Sequence, residues 1–192
     1  MKKRCKWVPD GSFCTEYHDR EWGVPVHDDR LLFEHLILDA FQAGLSWEII
    51  LRKRENFRKA FDGFNAEIIA RYDGAKIAVL LNDSGIVRNR LKIGSAVTNA
   101  QAFLNIQEEW GSFSDYIWSF VDGRPIQNEW RSLAEIPAKT PLAETLSKDL
   151  KKRGFRFVGP TIIYAHMQAT GMVNDHVLDC FRYPEIVAMS DK

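Results

Sequence analysis

Residues 151–161 read Lys151-Lys152-Arg153-Gly154-Phe155-Arg156-Phe157-Val158-Gly159-Pro160-Thr161, and the chain continues through Tyr164-Ala165-His166-Met167 to Val173-Asn174-Asp175-His176-Val177-Leu178-Asp179-Cys180. This stretch decides the fold. Gly154 closes one helix, Pro160 and Thr161 open the next a few residues later, and Gly159 leaves backbone N–H groups bare between them. The pattern is helix, hairpin, helix. Small residues, free amides and a helix N-terminus suit the grip of one phosphate, and Lys151, Lys152, Arg153 and Arg156 surround them with positive charge. The same residues also describe a tight helix connection on a solvated basic face, and both readings stay open here.

The stretch ends in a second signal. Three residues separate His176 from Cys180, so on a helix both side chains would share one face and could hold one metal ion. The other half of such a site lies at the opposite end, where Cys5, Trp7, Cys14, Tyr17, His18 and Trp22 crowd a segment that would normally fray. Cys5 and His18 would complete a Cys2His2 tetrahedron of the structural-zinc type and staple the N-terminal segment to a C-terminal helix. Twelve residues lie between Cys5 and His18, a wide gap for a zinc finger. Ordinary thiols and a packed histidine remain the alternative on spacing alone.

At 192 residues the chain fits one domain, or two lobes sharing a core, and can bury a substantial apolar interior. Lys+Arg and Asp+Glu both number 26, so a nucleic-acid role must rest on local patches: Arg52–Arg58, Arg88–Lys92 and Lys151–Arg156. Three cysteines, with no apolar signal core in the opening residues, lead us to expect a reducing, cytoplasmic setting. No apolar run is long enough to span a bilayer.

Periodicity predicts a mostly or wholly α-helical chain. One helix runs from Asp28 through Leu32, Phe33, Leu36, Ile37, Ala40 and Phe41 to a stop at Gly44, with Asp39 on or near its buried stripe. Ser46 is expected to cap a second, Trp47–Phe61, with Ile50, Leu51, Phe57 and Phe61 inward and Arg52, Lys53, Arg54 and Arg58 outward. The connecting loop presents Leu45, either a core plug or a wedge for a base stack. Shorter helices are expected at 66–72, 77–82 and 113–120. A long one spans 88–109, with a stripe of Leu91, Val97, Ala100, Phe103 and Leu104. Thr140 and Pro141 should start the helix that enters the hairpin.

These motifs resemble the bacterial DNA-3-methyladenine glycosylase I family from Cys5 to Tyr183. The resemblance is carried by Cys5-Lys6-Trp7, Tyr17-His18-Asp19-Arg20-Glu21-Trp22-Gly23-Val24-Pro25, Gln42-Ala43-Gly44-Leu45-Ser46-Trp47, Arg52-Lys53-Arg54-Glu55-Asn56-Phe57, Lys151-Lys152-Arg153-Gly154-Phe155 and Val173-Asn174-Asp175-His176-Val177. It implies a helix-hairpin-helix glycosylase-like fold, all-α, spanning residues 1–192 as a single domain. It also implies a structural Zn2+ held by Cys5, His18, His176 and Cys180, a monomer, and action on duplex DNA with alkylated bases.

The implied chemistry is monofunctional hydrolysis of the N-glycosidic bond of 3-methyladenine. A purine methylated at N3 is cationic and already a good leaving group, so the enzyme's task is to extract the base and hold it. Electron-rich Trp7, Tyr17 and Trp47 match the family's pocket walls. Asp39 stands where the family commonly has a pocket Glu; it is one methylene shorter and reaches roughly 1.5 Å less far. Leu45 matches the wedge, and Gly154, Gly159, Thr161 and Lys152 match the hairpin that holds the DNA backbone. Val173-Asn174 replaces the Val-Asp of many helix-hairpin-helix glycosylases, which implies catalysis without that carboxylate; Asp175 reads as structural, orienting His176 or its backbone. Cys14 stands where some relatives place a pocket Tyr. A lesion-binding protein that flips bases without cutting is the competing reading. A catalytic zinc is disfavoured because four protein ligands leave no open position for water.

Overall fold

The computed structural model describes residues 2–9 and 11–190. Its centre is α2 (Asp29–Gln42), which Asp28 starts by accepting the Leu31 N–H at 2.9 Å. Every residue of α2 from Leu32 to Phe41 is buried. A helix covered all round belongs in the core, and α2 packs against α3 (Trp47–Ala60), α6 (Arg90–Trp110), α7 (Phe113–Trp118) and α9 (Pro160–Ala169). Phe33, Phe41, Phe57, Phe61, Phe64, Phe103 and Phe113 fill the space between them. The short helices α4 (Ala66–Ile69) and α5 (Gly74–Asn82) lie against α6. Among the described residues, no helix is long and apolar enough to cross a membrane.

The helix-hairpin-helix forms as expected. Thr140 caps α8 (Pro141–Lys152) by accepting the Ala143 N–H, and Gly154 at φ +99° lets the chain leave the helix. Phe155 and Val158 turn inward, while Arg156 and Phe157 stay exposed at the tip. Two side chains fix this tip from behind. Asn99 of α6 both accepts from the Arg156 N–H at 2.7 Å and donates to the Arg156 carbonyl at 3.1 Å; Ser147 of α8 donates to the Val158 carbonyl at 2.6 Å. Phe157 is thereby held at φ +56°, a conformation bulky side chains rarely adopt.

Several expectations are corrected. His176 and Cys180 sit in a turn before α10 (Arg182–Ser190), so no helix places them on one face and the N-terminal segment is not stapled to a helix. The segment 13–20, assigned no structure from sequence, is α1 (Phe13–Arg20). The stripe of α6 is rotated: Leu91 is 73% exposed, while Ile93, Ala96, Ala100 and Phe103 face the core. Arg54 points inward to Glu34 (2.6 Å) and Glu21 (2.5 Å), and Arg58 joins it on Glu34 at 2.7 Å, because the buried Glu34 carboxylate demands compensation. Ser46 precedes α3 with extended backbone, but its side chain makes no capping bond. The chain is mostly rather than wholly helical: β1 (Ile126–Gln127) pairs in parallel with β2 (Val173–Asn174).

Lys92, buried on α6, ends α2 by donating to the Phe41 and Ala43 carbonyls at 2.8 and 2.6 Å. A cation on the last carbonyls of a helix satisfies orphan acceptors and suits the helix dipole. At the far end of α9, Gly171 (φ +71°) lets the backbone of Val24 and Pro25 pass so closely that a Cβ there would lie 2.4 Å from the Val24 carbonyl carbon. This contact seats the segment that leads from α1 into α2. Gly171→Ala therefore combines a backbone clash with a left-handed φ and should destabilise the protein by about 3 kcal/mol or more in chemical denaturation; an unchanged midpoint would show that the 24–25 segment yields freely.

Candidate functional site: an aromatic cavity beside a Cys/His cluster

A cavity of about 410 Å³ opens where α2, α9 and the N-terminal segment meet, within the roughly 300–1,000 Å³ typical of small-molecule sites. Asp39 and Gln42 reach it from α2, and Thr161, Tyr164 and Gln168 from α9. Trp7, Tyr17, Trp22 and Trp47 form its aromatic side, and Leu133 to Ala138 supply a rim. Trp7 meets Trp22 edge-on at 5.1 Å, and Tyr17 lies 5.4 Å from Trp47 at a tilt. The Trp7 and Trp47 indole nitrogens are buried without a protein partner. With Tyr164, five aromatic rings line the space, two of them carrying buried N–H groups without a protein partner.

Asp39 is 3% exposed, and its Oδ2 lies 3.1 Å from Nδ1 of the fully buried His166 on α9. Burial raises the Asp39 carboxyl above its ordinary value, while the His166 hydrogen bond and the Arg54 charge pull it back. Burial, reinforced by the Asp39 charge, pushes the Tyr17 hydroxyl well above its usual range, which keeps it a neutral donor. One turn before Asp39, burial holds His35 well below its usual value, with Arg54 adding to the effect.

Asp175, buried in the turn after β2, organises the α9 wall. It accepts from Asn128 (2.7 Å), Trp130 Nε1 (2.8 Å), the Tyr164 hydroxyl (2.5 Å) and Gln168 Nε2 (2.7 Å). It is structural as expected, but through these four donors rather than His176, whose N–H donates to Asn174 Oδ1 at 3.3 Å. Asn174 itself is buried, donates to Gln127 and does not line the cavity.

Beside the aromatic wall, Cys5, His18, His176 and Cys180 bring one ligand atom each to within 4.8 Å of one another, all buried. Cys180 Sγ lies 3.5 Å from both His18 Nε2 and His176 Nδ1, and Cys5 Sγ lies 3.7 Å from His176 Nδ1. The outer ring nitrogens are engaged elsewhere: His18 Nδ1 with Asp19 Oδ1 at 2.8 Å, and His176 Nε2 with the Trp22 carbonyl at 2.9 Å. Arg4 forks onto Asp19 and holds it below the ordinary carboxylate range. Such outer partners fix ring orientation for a bound cation. The cluster could hold a metal ion.

The chain matches the methyladenine glycosylase family model over residues 7–183. It belongs to that family. Glycosylases of this family are hydrolases acting on N-glycosyl bonds. The DNA-3-methyladenine glycosylase of Haemophilus influenzae is 46% identical over 180 residues, covering 94% of this chain and 97% of that protein. A crystal structure of a 3-methyladenine DNA glycosylase I superposes with a TM-score of 0.92 at 48% identity, covering 95% of this chain and all of that one. A Tyr-to-Phe variant of such an enzyme, solved in complex with 3-methyladenine, superposes at 0.91 with 35% identity, covering 94% and 97%.

In this glycosylase the structure brings Trp7, Tyr17, Trp47 and Asp39 to one cavity, and Thr161 to its edge. Leu45 is half-buried at the tip of the α2–α3 loop, where Gln42 Nε2 donates to its carbonyl at 2.7 Å. Lys152 and Gly154 are exposed at the hairpin, with Gly159 half-buried at the start of α9. Cys14 is buried on α1 and does not line the cavity. His166, Gln168 and the 133–138 rim were not singled out from the sequence, and Trp22 was named in the aromatic N-terminal segment but not as a cavity wall. A lone histidine in an apolar helix, as at His166, was the one available signal. Asp175→Ala should strand one buried donor, the Tyr164 hydroxyl, and three part-buried ones, and cost about 3 kcal/mol of stability; a denaturation midpoint equal to wild type would remove Asp175 as the organiser of the α9 wall.

Proposed function

We propose that this glycosylase excises 3-methyladenine from alkylated duplex DNA, drawing the base out of the helix into the cavity between Asp39 and the Trp7, Tyr17 and Trp47 rings. One observation carries the reading: a carboxylate buried at the wall of an aromatic cavity in a chain of this family. An N3-methylated adenine is cationic. Aromatic faces attract it through their quadrupoles, and the Asp39 carboxylate complements both its charge and its N–H edge. The bound relative described above shows that a protein of this shape takes the same base.

Chemistry follows from what the base already is. Cleaving its glycosidic bond neutralises the leaving group, so the bond needs little further activation once the base is held. A cavity that stabilises the positive charge developing on the sugar lowers the barrier without a covalent nucleophile; water adds to the sugar carbon and loses a proton, and the base departs neutral. The loop residue Leu45 would fill the gap left in the stack, supported by Gln42 and Lys92 behind it. The hairpin from Gly154 to Thr161, with Lys152 beside it, would hold the backbone of the lesion strand. At Gly154 and Gly159 an added Cβ would meet nothing, so a phosphate can approach the main chain there.

The Cys/His cluster suits Zn2+. Metal–sulfur and metal–nitrogen bonds of about 2.3 and 2.0–2.1 Å in a tetrahedron give sulfur–nitrogen edges of about 3.5 Å. Three of the four sulfur–nitrogen separations are 3.5, 3.5 and 3.7 Å, and all ligand atoms lie within 4.8 Å of one another. Cys5, His18, His176 and Cys180 would hold the ion, and its contribution is structural, a cross-link between the N-terminal segment and the turn before α10. We read the protein as a monomer acting in the cytoplasm.

Purified protein incubated with methylated duplex DNA should release 3-methyladenine and little 7-methylguanine, and Asp39→Asn should lower the rate by about 10²-fold or more while keeping the fold. Folded protein that binds methylated DNA but releases no base would make it a lesion-binding protein instead. Elemental analysis should find stoichiometric zinc, and its removal should lower the melting temperature before it affects bond cleavage. Chelation that stops turnover without any loss of stability would contradict a structural role.

A further inference from the structure

His166 has no counterpart in the chemistry described so far, yet among the described residues it is the one side chain bonded to the recognition carboxylate. It lies in the last turn of α9, is 0% exposed, and spends Nδ1 on Asp39 Oδ2. Its second nitrogen, Nε2, is buried with no hydrogen-bond partner. An imidazole used only for packing would be a poor choice there, since an apolar ring of similar size carries no stranded atom. Asp39 Oδ1, in turn, has no protein hydrogen bond among the described residues, and Asp39 forms part of the cavity wall.

We propose that His166 is the positioning residue of the base-recognising carboxylate: by holding Oδ2 it leaves Oδ1 for the base. This rests on the reading of Asp39 given above.

The groups that face the pair permit this. From α2, His35 lies one turn before Asp39, where burial holds it neutral. From α3, Arg54 adds positive charge, but Glu34 and Glu21 already engage it. From α1, Tyr17 is kept protonated by burial. On α9 itself, Tyr164 donates to Asp175 and is committed there. Among these, His166 is the group in hydrogen-bond contact with Asp39. The shortness of Asp39 gives the contact its purpose, because a carboxylate on one methylene has few rotamers and a single anchoring bond decides which oxygen faces the cavity.

The test is excision under single-turnover and steady-state conditions at one pH, on methylated duplex DNA, with zinc content and melting temperature recorded for each protein. His166→Asn puts an amide donor where Nδ1 stood, so it should keep KM within about threefold of wild type. His166→Gln puts the donor at the Nε2 position, and His166→Phe removes it. Both should fall below His166→Asn by about tenfold or more, mainly in KM, with melting temperatures and zinc content unchanged. A KM for His166→Asn as high as that of His166→Phe would overturn the proposal, as would His166→Gln or His166→Phe excising at the wild-type rate. Should His166→Phe fail to fold, the His166→Asn and His166→Gln pair decides alone. If wild type releases no base, or Asp39→Asn releases as much as wild type, the excision reading itself is what fails.

Discussion

The structure depends on one constraint, the meeting of the two ends of the chain at Cys5, His18, His176 and Cys180. Four buried side chains from distant segments converge within 4.8 Å, and the aromatic wall is attached directly to them. Trp7 follows Cys5 by two positions, Tyr17 precedes His18 by one, and the Trp22 carbonyl accepts from His176. Gly171 lets the 24–25 backbone lie against the end of α9 just where this junction needs it. An N-terminal segment left loose would take three of the cavity's rings with it. The cluster therefore bears on the cavity by placing its walls, without lining it.

The second organising element is charge inside α2. Three titratable residues, Glu34, His35 and Asp39, are buried on a helix whose other core positions are apolar. Glu34 is answered by Arg54 and Arg58 on α3, and His35 avoids the problem by staying neutral. Of the three, Asp39 has no direct arginine partner among the described residues and is held by a histidine. Full compensation would have produced an inert ion pair. Partial compensation leaves a carboxylate whose charge is available to a cationic ligand, and burial makes that charge felt because little water screens it.

Much of this was legible in the sequence, and the failures have physical causes. Gly154, Pro160 and Thr140 act through local backbone rules, so the hairpin and the start of α8 could be read directly. Leu91 was misplaced because an apolar residue at a helix start can remain solvated, whereas the buried Lys92 is drawn in by the carbonyls at the end of α2. Arg54 looked like a surface charge until Glu34, twenty residues earlier, turned out to be buried opposite it. The spacing of His176 and Cys180 suits a helix, yet the turn there delivers both ligands equally well. The 133–138 rim and the β1–β2 pair carry no periodic signal, since both are too short and too irregular for patterning to mark them. His166 looked like any core histidine, because its partner lies far away in sequence.

The central claim is that the base is held between the aromatic rings and Asp39. A crystal structure of this protein with free 3-methyladenine tests it most directly. The account predicts the purine ring in the cavity, stacked between Trp and Tyr17 faces, with an N–H edge within hydrogen-bond distance of Asp39 Oδ1 and the His166–Asp39 bond intact. A base bound elsewhere, or in the cavity with its polar edge turned away from Asp39, would contradict it.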